Sequence, residues 1–213
     1  AFKDLGDSAG ALHCFEKALA IAPDDPQALL SRGTALLAAG RLTEGWAGYE
    51  YRVQCEQFDT RDFPQPRWQG EPLDGRTLLI HAEQGLGDTL QFVRFVPQAA
   101  ACGGNVIVAA QPVLVPLLRA SGIANVVASN DVHEPFDVHV PLMSLPYVFG
   151  IELDTIPREG PYLAVEPQRV AAWDARLTDR RELNVGVVWQ GRPDHRRDRS
   201  RSFRLESLAP LAS

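Results

Sequence analysis

Two patterns of apolar and polar positions alternate along the chain from residue 77 onward. Short, mostly apolar runs are typical of the buried strands of a parallel sheet. Longer segments between them mix apolar and polar positions, as helices do. The predicted strands are residues 77–83, 105–110, 125–128 and 136–140, and the predicted helices are residues 88–101, 112–121 and 142–149. This alternation predicts an α/β domain over residues 77–166, with a parallel sheet and helices on both faces.

The residues before this domain contain an internal repeat. Small and aromatic residues recur in the same register, 34 positions apart. The matching pairs are Gly6 and Gly40, Ala11 and Gly45, Phe15 and Tyr49, and Ala18 and Arg52. A period of this length with small and aromatic residues at these offsets is typical of tetratricopeptide repeats, in which paired helices pack closely.

The repeat predicts three helices, over residues 8–21, 26–39 and 42–54. Residues 1–56 then hold one partial and one complete repeat, fewer than the roughly three that a stable array needs. Either further repeats precede them, or these helices pack against the following domain. In the second copy Arg52 replaces a small residue and Trp46 is added. This indicates a terminal repeat adapted to contact something else, either by packing alone or through a groove for a partner.

Two segments are predicted to connect or extend these parts. Residues 57–76 are rich in proline and glycine and have no periodicity, which predicts an interdomain linker. Residues 151–166 are expected to be irregular. Beyond them we predict a helix over residues 167–180, a strand over residues 184–189 and a helix starting near residue 204, as at the opening of another α/β unit within residues 167–213.

Composition and charge narrow the class of protein. Of 213 residues, 45% are hydrophobic and 23% are charged, which is typical of a globular chain and not of a disordered one. The net charge of −6 argues against a general nucleic-acid binder. No window approaches the roughly 18 apolar residues of a membrane span, and the N-terminus has no signal-peptide pattern. Because the chain has no initiator methionine, we expect a piece of a longer protein.

The number and spacing of the cysteines indicate a reducing compartment. Cys14, Cys55 and Cys102 are odd in number, far apart and in no CxxC pair. This pattern fits neither a disulfide framework nor a zinc site. We therefore expect buried or unreactive thiols in a reducing cytoplasm.

The loop after the first strand is the first candidate site. Ligands of open α/β sheets bind at the carboxyl ends of the strands, and helix N–H groups favour phosphate. Gly85 and Gly87 allow close approach of a ligand, but Leu90 stands where a dinucleotide fingerprint needs its third glycine, and no Walker motif occurs. Asp88 has two interpretations: it caps the helix, or it faces the cleft as a general base on a sugar hydroxyl.

An arginine-rich segment near the C-terminus is the second candidate site. Residues 192–204 carry six arginines and two aspartates, a net charge of +4, so the rest of the chain carries −10. Arginines bind phosphate oxygens bidentately, which suits a diphosphate, although a solvated loop is the alternative. His195 shares this segment and could touch phosphate. His81, His133 and His139 show no metal-ligand spacing and are expected to have core or surface roles.

Residues 75–97 (GRTLLIHAEQGLGDTLQFVRFVP) resemble bacterial tetratricopeptide proteins fused to a domain similar to the heptosyltransferases of glycosyltransferase family 9. The family pattern is a Gly-Asp pair followed by a proline, here Gly87, Asp88 and Pro97. Residues 185–202 (VGVVWQGRPDHRRDRSRS) resemble the first strand and phosphate-side loop of that family's second domain. The resemblance implies a GT-B architecture of two Rossmann-like domains, the second cut short here.

The resemblance also implies an activity and roles for residues. In the complete protein, Asp88 would take the acceptor proton while a sugar passes from a nucleotide-diphosphate donor to a glycan or protein acceptor, which the repeats recruit. No Asp-x-Asp pair is present, so we expect no metal and no other cofactor. Because the second domain is cut short, we expect this chain alone to be inactive. The predicted ligand-binding residues are Gln84, Gly85, Gly87, Gly191, His195, Arg196, Arg197, Arg199 and Arg201.

Two other functions are compatible with the sequence. In the first, the chain is a non-catalytic interaction module whose repeats bind a partner and whose α/β domain is a degenerate scaffold. In the second, it is a regulator that binds nucleotide without transferring a sugar. The sequence departs from the family at one point that bears on this choice. The lysine in the second-domain loop of heptosyltransferases has no lysine counterpart in this chain, which has only arginines there. The identity of the sugar donor therefore stays open.

Overall fold

A computed structural model describes residues 7–55, 61, 63–123, 125–158, 160–177, 185–191, 198 and 202–211. These residues fall into two compact units, Ala1–Glu166 and Pro167–Ser213. The first unit contains a helical segment followed by a four-stranded parallel sheet with helices, so the chain has a mixed helical and α/β fold. Among the helices of the described residues, none is long and apolar enough to cross a membrane.

Three helices form the N-terminal segment, and all three were predicted. They are α1 (Ser8–Ile21), α2 (Pro26–Ala38) and α3 (Leu42–Tyr49), and a 3₁₀ turn (Glu50–Gln54) continues α3. The Asp7 carboxylate accepts the Gly10 N–H at 2.9 Å and so caps α1. Asp25 caps α2 in the same way, accepting the Gln27 N–H at 2.9 Å. The prediction for α1 is confirmed at both ends.

Glycines bring α2 and α3 into close contact. A Cβ atom on Gly33 would lie 2.5 Å from the Gly48 carbonyl carbon, closer than non-bonded carbon atoms can approach. Gly40 has a φ of 78° just beyond the end of α2, a left-handed conformation that glycine adopts without strain. The two helices can therefore lie backbone against backbone, and the chain can turn sharply between them.

The sheet contains β1 (Thr77–His81), β2 (Asn105–Ala110), β3 (Val126–Ala128) and β4 (Val138–Pro141). The order across the sheet is β3-β2-β1-β4, and every neighbouring pair is parallel. All four predicted strands are present. The bounds of β2 match the prediction at both ends, and β1 ends two residues earlier than predicted.

Helices cover one face of the sheet. They are α4 (Leu86–Phe92), α5 (Val96–Ala100), α6 (Val115–Ala120) and α7 (Leu145–Val148), with 3₁₀ turns at Val93–Phe95, Pro112–Leu114 and Leu142–Ser144. The main core lies between these helices and the sheet. The strand residues that contribute to this core are Leu78, Ile80, Val106, Val108, Ala110, Val126, Val138 and Val140.

The prediction of helices on both faces is wrong for the described residues. The opposite face of the sheet presents Leu79, Ile107 and Ala109, and Phe63 and Phe136 pack on it from loops. The connection between β3 and β4 is short and contains no helix. A crossover of this length can bury apolar side chains against the sheet, but it is too short for a helix and its two turns.

The segment predicted as a linker packs against the sheet. Trp68 and Leu73 are fully buried in the main core. Arg67 pairs with His139 in a parallel bridge beside β4. The Trp68 N–H donates to the His139 carbonyl at 2.8 Å, and the His139 N–H donates to the Pro66 carbonyl at 3.1 Å. This short stretch therefore covers the outer edge of β4.

In the second unit, both predicted helices begin where they were expected, near residues 167 and 204, and the predicted strand does not form among the described residues. It contains α8 (Pro167–Asp174) and a 3₁₀ helix (Leu205–Leu211). The strand predicted over residues 184–189 is wrong for residues 185–189, which form no strand with any described residue. Val185 and Val188 are exposed. An apolar run becomes a strand only where neighbouring strands satisfy its backbone, and the described residues supply none here.

Candidate functional site

The loop between β1 and α4 lies at the carboxyl edge of the sheet. The sheet ladder continues one step past β1, where the Ala82 N–H donates to the Ala109 carbonyl at 2.8 Å. Gly85 then serves as the N-cap of α4, which begins two residues earlier than predicted. We call residues 83–88, which include the first turn of α4, the β1 loop. Its position at this edge, where open α/β sheets bind ligands, agrees with the prediction for these residues.

Asp88 caps α4. Its Oδ2 accepts the N–H of Gly85 at 2.9 Å, which is one half of a capping box. The Asp88 side chain is half-buried, and its Oδ1 accepts no hydrogen bond from any residue that the structure describes. The capping role is thus observed, and one carboxylate oxygen is left for another partner.

The surface above the β1 loop is open at its glycines. A Cβ atom on Gly87 would meet nothing within 4 Å, and one on Gly85 would meet only the Asp88 carboxylate, at 3.1 Å. Both glycines are exposed. A ligand could therefore approach the backbone of the loop closely, as predicted for these two positions.

Gln84 is held from two sides. Its side-chain amide donates to the Tyr49 hydroxyl at 2.8 Å, and its main-chain carbonyl accepts from the Gln111 side chain at 2.7 Å. Gln111 in turn accepts from the Thr89 hydroxyl at 2.9 Å, so the end of β2 is tied to both ends of the loop. Gln84 was predicted as a ligand-binding residue, and the structure shows its side-chain amide engaged with the helical segment.

Glu83 forms a buried ion pair with Arg52. The Arg52 guanidinium donates from Nη2 to Oε1 at 2.7 Å and from Nε to Oε2 at 3.2 Å. The Arg52 side chain is 0% exposed and that of Glu83 is 4% exposed. Burial by itself lowers the pKa of Arg52, but the two carboxylates of Glu83 and Glu50 raise it above its usual value. Arg52 is therefore charged.

Further residues complete this buried network. Arg52 also donates to Glu50 at 2.8 Å and to the Ser144 hydroxyl at 2.7 Å. Arg67 donates to the same hydroxyl at 2.8 Å and also pairs with Glu50. Two guanidinium groups thus face two carboxylates, and the network is neutral. A buried charge is tolerated only when it is paired and hydrogen-bonded in this way.

The helical segment contacts the α/β part directly, as the substitutions in the second repeat copy had indicated. The Trp46 indole N–H donates to the Ile151 carbonyl at 3.1 Å. The Trp46 ring packs edge-on against Phe92 of α4, with 5.9 Å between ring centroids. Trp46 and Arg52 therefore do contact the following part of the chain.

Two histidines meet on the face of the sheet that the loops cover. His81 Nε2 lies 3.3 Å from His139 Nδ1, and Phe63 packs against both rings. Burial, reinforced by His139 and nearby arginines, lowers the pKa of His81 to about 3. The described residues contain no group of three potential ligands that could hold a metal. His81 has the predicted core role, and His133 is exposed beside Asp131 at 2.9 Å.

The second predicted site is only partly covered by the described residues. Gly191 lies in the second unit, where its N–H donates to the Ser202 hydroxyl at 2.9 Å. The other predicted residues of this segment, namely His195, Arg196, Arg197, Arg199 and Arg201, lie outside the described residues. Their predicted role in binding phosphate stays a prediction.

These features define a class of protein in which a short helical segment packs on a parallel α/β sheet that carries a glycine-containing loop at the carboxyl edge of its strands. The chain is similar to Protein FlbA of Caulobacter vibrioides, with 30% identity over 213 aligned positions. The match covers 88% of this chain and 36% of FlbA, so the chain spans little more than a third of that relative's length. No protein-family model matches the chain. No solved structure matches it.

Proposed function

We propose that this chain is part of a glycosyltransferase that moves a sugar from a nucleotide-diphosphate donor to a glycan or protein acceptor. The observation that carries the proposal is the state of Asp88 at the carboxyl edge of β1. One of its oxygens is fixed by the Gly85 N–H, and the other accepts no hydrogen bond from the described residues. The resemblance of residues 75–97 to heptosyltransferase-like domains supports the same activity.

The proposed reaction is a direct displacement without a metal. Asp88 removes the proton from an acceptor hydroxyl as that oxygen bonds to the anomeric carbon of the donor. The bond between this carbon and the diphosphate oxygen breaks, and the nucleoside diphosphate leaves with the electron pair. Arginines 196, 197, 199 and 201 stabilise the charge that develops on the leaving group. Gly85, Gly87 and Gly191 permit close approach of substrate to the backbone.

The proposal extends to the helical segment and to the cell compartment. We assign α1 to α3 to tetratricopeptide repeats that recruit the acceptor, which the close packing of α2 on α3 supports. We assign the parallel sheet to the first Rossmann-like domain of a GT-B architecture, supported by its strand order. A cytoplasmic location is supported by Cys14, Cys55 and Cys102, all of which are free thiols.

One observation favours a second candidate function. Asp88 already has a structural role as the cap of α4, and Gln84 is engaged with the helical segment. A chain in which both residues only support the fold would be a non-catalytic interaction module. The two candidate functions make different predictions: a glycosyltransferase binds a nucleotide-diphosphate sugar and turns it over, and an interaction module does neither.

Binding of nucleotides is the direct test. Thermal unfolding is measured with ADP, UDP and GDP and with their glucose conjugates, on this chain and on a longer gene product where the gene encodes one. We expect one diphosphate series to raise the melting temperature, and Arg197→Ala to abolish that shift. Arg41→Ala is the matched control, because Arg41 forms only an exposed pair with Glu44 in the helical segment.

Donor turnover distinguishes a catalytic base at Asp88 from a residue that only caps α4. Asn in place of Asp88 keeps a side-chain oxygen that can accept the Gly85 N–H, but it removes the carboxylate that accepts a proton. We expect Asp88→Asn to retain the thermal shift and to lose donor turnover by about 100-fold or more. Absence of any shift with all six compounds at millimolar concentration would support the interaction module instead.

A further inference from the structure

The helical segment contributes side chains to the β1 loop. Tyr49 ends α3, and Arg52 follows within the 3₁₀ turn, three residues later. Their side chains lie on the same side of the chain, with the Arg52 guanidinium carbon 4.8 Å from the centre of the Tyr49 ring. The Tyr49 main-chain carbonyl also accepts a hydrogen bond from Arg52, at 3.2 Å. The two residues thus form one rigid contact surface.

This pair holds two consecutive residues of the loop. Arg52 binds the Glu83 carboxylate through two nitrogens, and Tyr49 accepts the Gln84 amide at 2.8 Å. The next residue is Gly85, whose N–H is capped by Asp88. A continuous chain of contacts therefore runs from the helical segment to the carboxylate of the proposed base.

The loop needs such external support because of its own sequence. It contains two glycines, which have the largest backbone freedom of any residue. The helix whose first turn it includes, α4, is only seven residues long and is not stable by itself. Catalytic groups must be held within about 0.5 Å of the productive geometry, and an error of about 1 Å can cost about 100-fold in rate.

We propose that Tyr49 and Arg52 are positioning residues that set the geometry of the β1 loop, so that the repeats are a structural part of the transferase site as well as its acceptor-binding part. This inference rests on the proposed function, because it gives the held loop a catalytic purpose. A role in packing alone would make the same residues matter for stability but not for the rate of the chemical step.

Tyr49→Phe is the sharpest variant because it removes one hydroxyl and leaves the ring in the core. We expect the backbone amides of residues 84–89 to exchange hydrogen at least tenfold faster, while amides of β1 and β2 keep their rates. With the donor that the thermal-shift test selects, we expect kcat for donor hydrolysis by the longer gene product to fall at least tenfold with KM unchanged. Tyr147→Phe is the matched control, since Tyr147 is 45% exposed.

Arg52→Lys is the second variant and keeps the positive charge opposite Glu83. A lysine cannot reproduce the two-nitrogen contact, so we expect it to weaken the loop less than Arg52→Met and to lower kcat to an intermediate value. The ordering wild type, Arg52→Lys, Arg52→Met in both exchange and kcat supports positioning. Equal losses in the two variants would count against it.

The outcomes separate the two proposals. Unchanged exchange in Tyr49→Phe refutes positioning whatever the activity. Faster exchange with unchanged kcat also refutes it, because the contact is then structural only. If the wild-type longer gene product binds and hydrolyses none of the donors, the proposed function fails, and the positioning role falls with it. Faster exchange together with lower kcat supports both.

Discussion

Acid should destabilise this protein through one buried histidine. His81 is 2% exposed, with Phe63 packed against its ring and His139 3.3 Å from its Nε2. Burial, then the charges of His139, Arg61, Arg67 and Arg52, lower its pKa from 6.5 to about 3. No hydrogen-bond partner for its buried Nδ1 is present among the described residues, so a proton there would be poorly accommodated.

The sign and size of the effect follow from these pKa values. Between pH 6.5 and about 3 the unfolded chain binds a proton at His81 and the folded chain does not, so stability falls as the pH falls through this range. Each unit of pH below 6.5 costs up to about 1.4 kcal/mol. Between neutral pH and pH 4.5 the expected loss is about 2–3 kcal/mol from this group alone.

Urea unfolding at pH 7.5, 5.5 and 4.5 measures this loss, with tryptophan fluorescence as the probe, to which the fully buried Trp68 contributes. The free energy of unfolding of His81→Leu is subtracted from that of the wild type at each pH, which cancels the contribution of the carboxylates. From pH 7.5 to 4.5, we expect the wild-type free energy of unfolding to fall by about 2–3 kcal/mol relative to that of His81→Leu. His133→Asn is the control, since His133 is 84% exposed. A constant difference between wild type and His81→Leu would refute the reasoning.

Two further predictions concern packing. Gly33→Ala should lower the free energy of unfolding by about 1–3 kcal/mol, because its Cβ would collide with the backbone at Gly48. Gly87→Ala is the matched change in an open position and should alter stability by no more than about 1 kcal/mol, in the stabilising direction. Trp68→Ala should cost about 3–5 kcal/mol, because the ring is fully buried in the main core. Urea titration at neutral pH checks each value, and an unaffected Gly33→Ala protein would contradict the close packing of α2 on α3.

Elements with a local signal were predictable from the sequence. Helix α1 has Asp7 as its cap, and α2 has Asp25 as its cap and Pro26 as its first residue. Residues next to each helix therefore determine where it begins. Strand β2 contains a continuous apolar run, residues 106–110, which a glycine pair precedes and Pro112 follows. The position of Gly85, Gly87 and Asp88 at the carboxyl edge of β1 followed from their place after a strand.

Features that depend on distant partners were not predictable. The residues 185–189 have the apolar pattern of a strand, but pattern cannot supply the neighbouring strand that such a run needs. The burial of Trp68 in a proline- and glycine-rich segment depends on the edge of β4, which lies some 70 residues away along the chain. The contact of Gln111 with Gln84 depends on the register of β1 and β2.

Arg52 was predictable from the sequence in one respect and not in another. Its departure from the repeat pattern was visible in the sequence, and it indicated a contact outside the repeat. The partner could not be named, because a carboxylate becomes a buried partner only when the fold removes it from water. Glu83 looked like one more polar residue of a loop, yet in the structure its side chain is 4% exposed and is paired with Arg52 of the 3₁₀ turn.

The capping role of Asp88 and the catalytic role that we propose for it do not compete. A carboxylate has two oxygens, and the cap of α4 engages Oδ2 alone. The cap fixes the rotation of the side chain and thereby the direction in which Oδ1 points. A general base needs this kind of restraint, because proton transfer requires hydrogen-bond geometry to the attacking hydroxyl. The helical segment holds Gln84, and the N–H of the next residue, Gly85, holds the Asp88 carboxylate. In the proposed reaction, the contacts that stabilise the loop would therefore also orient its base.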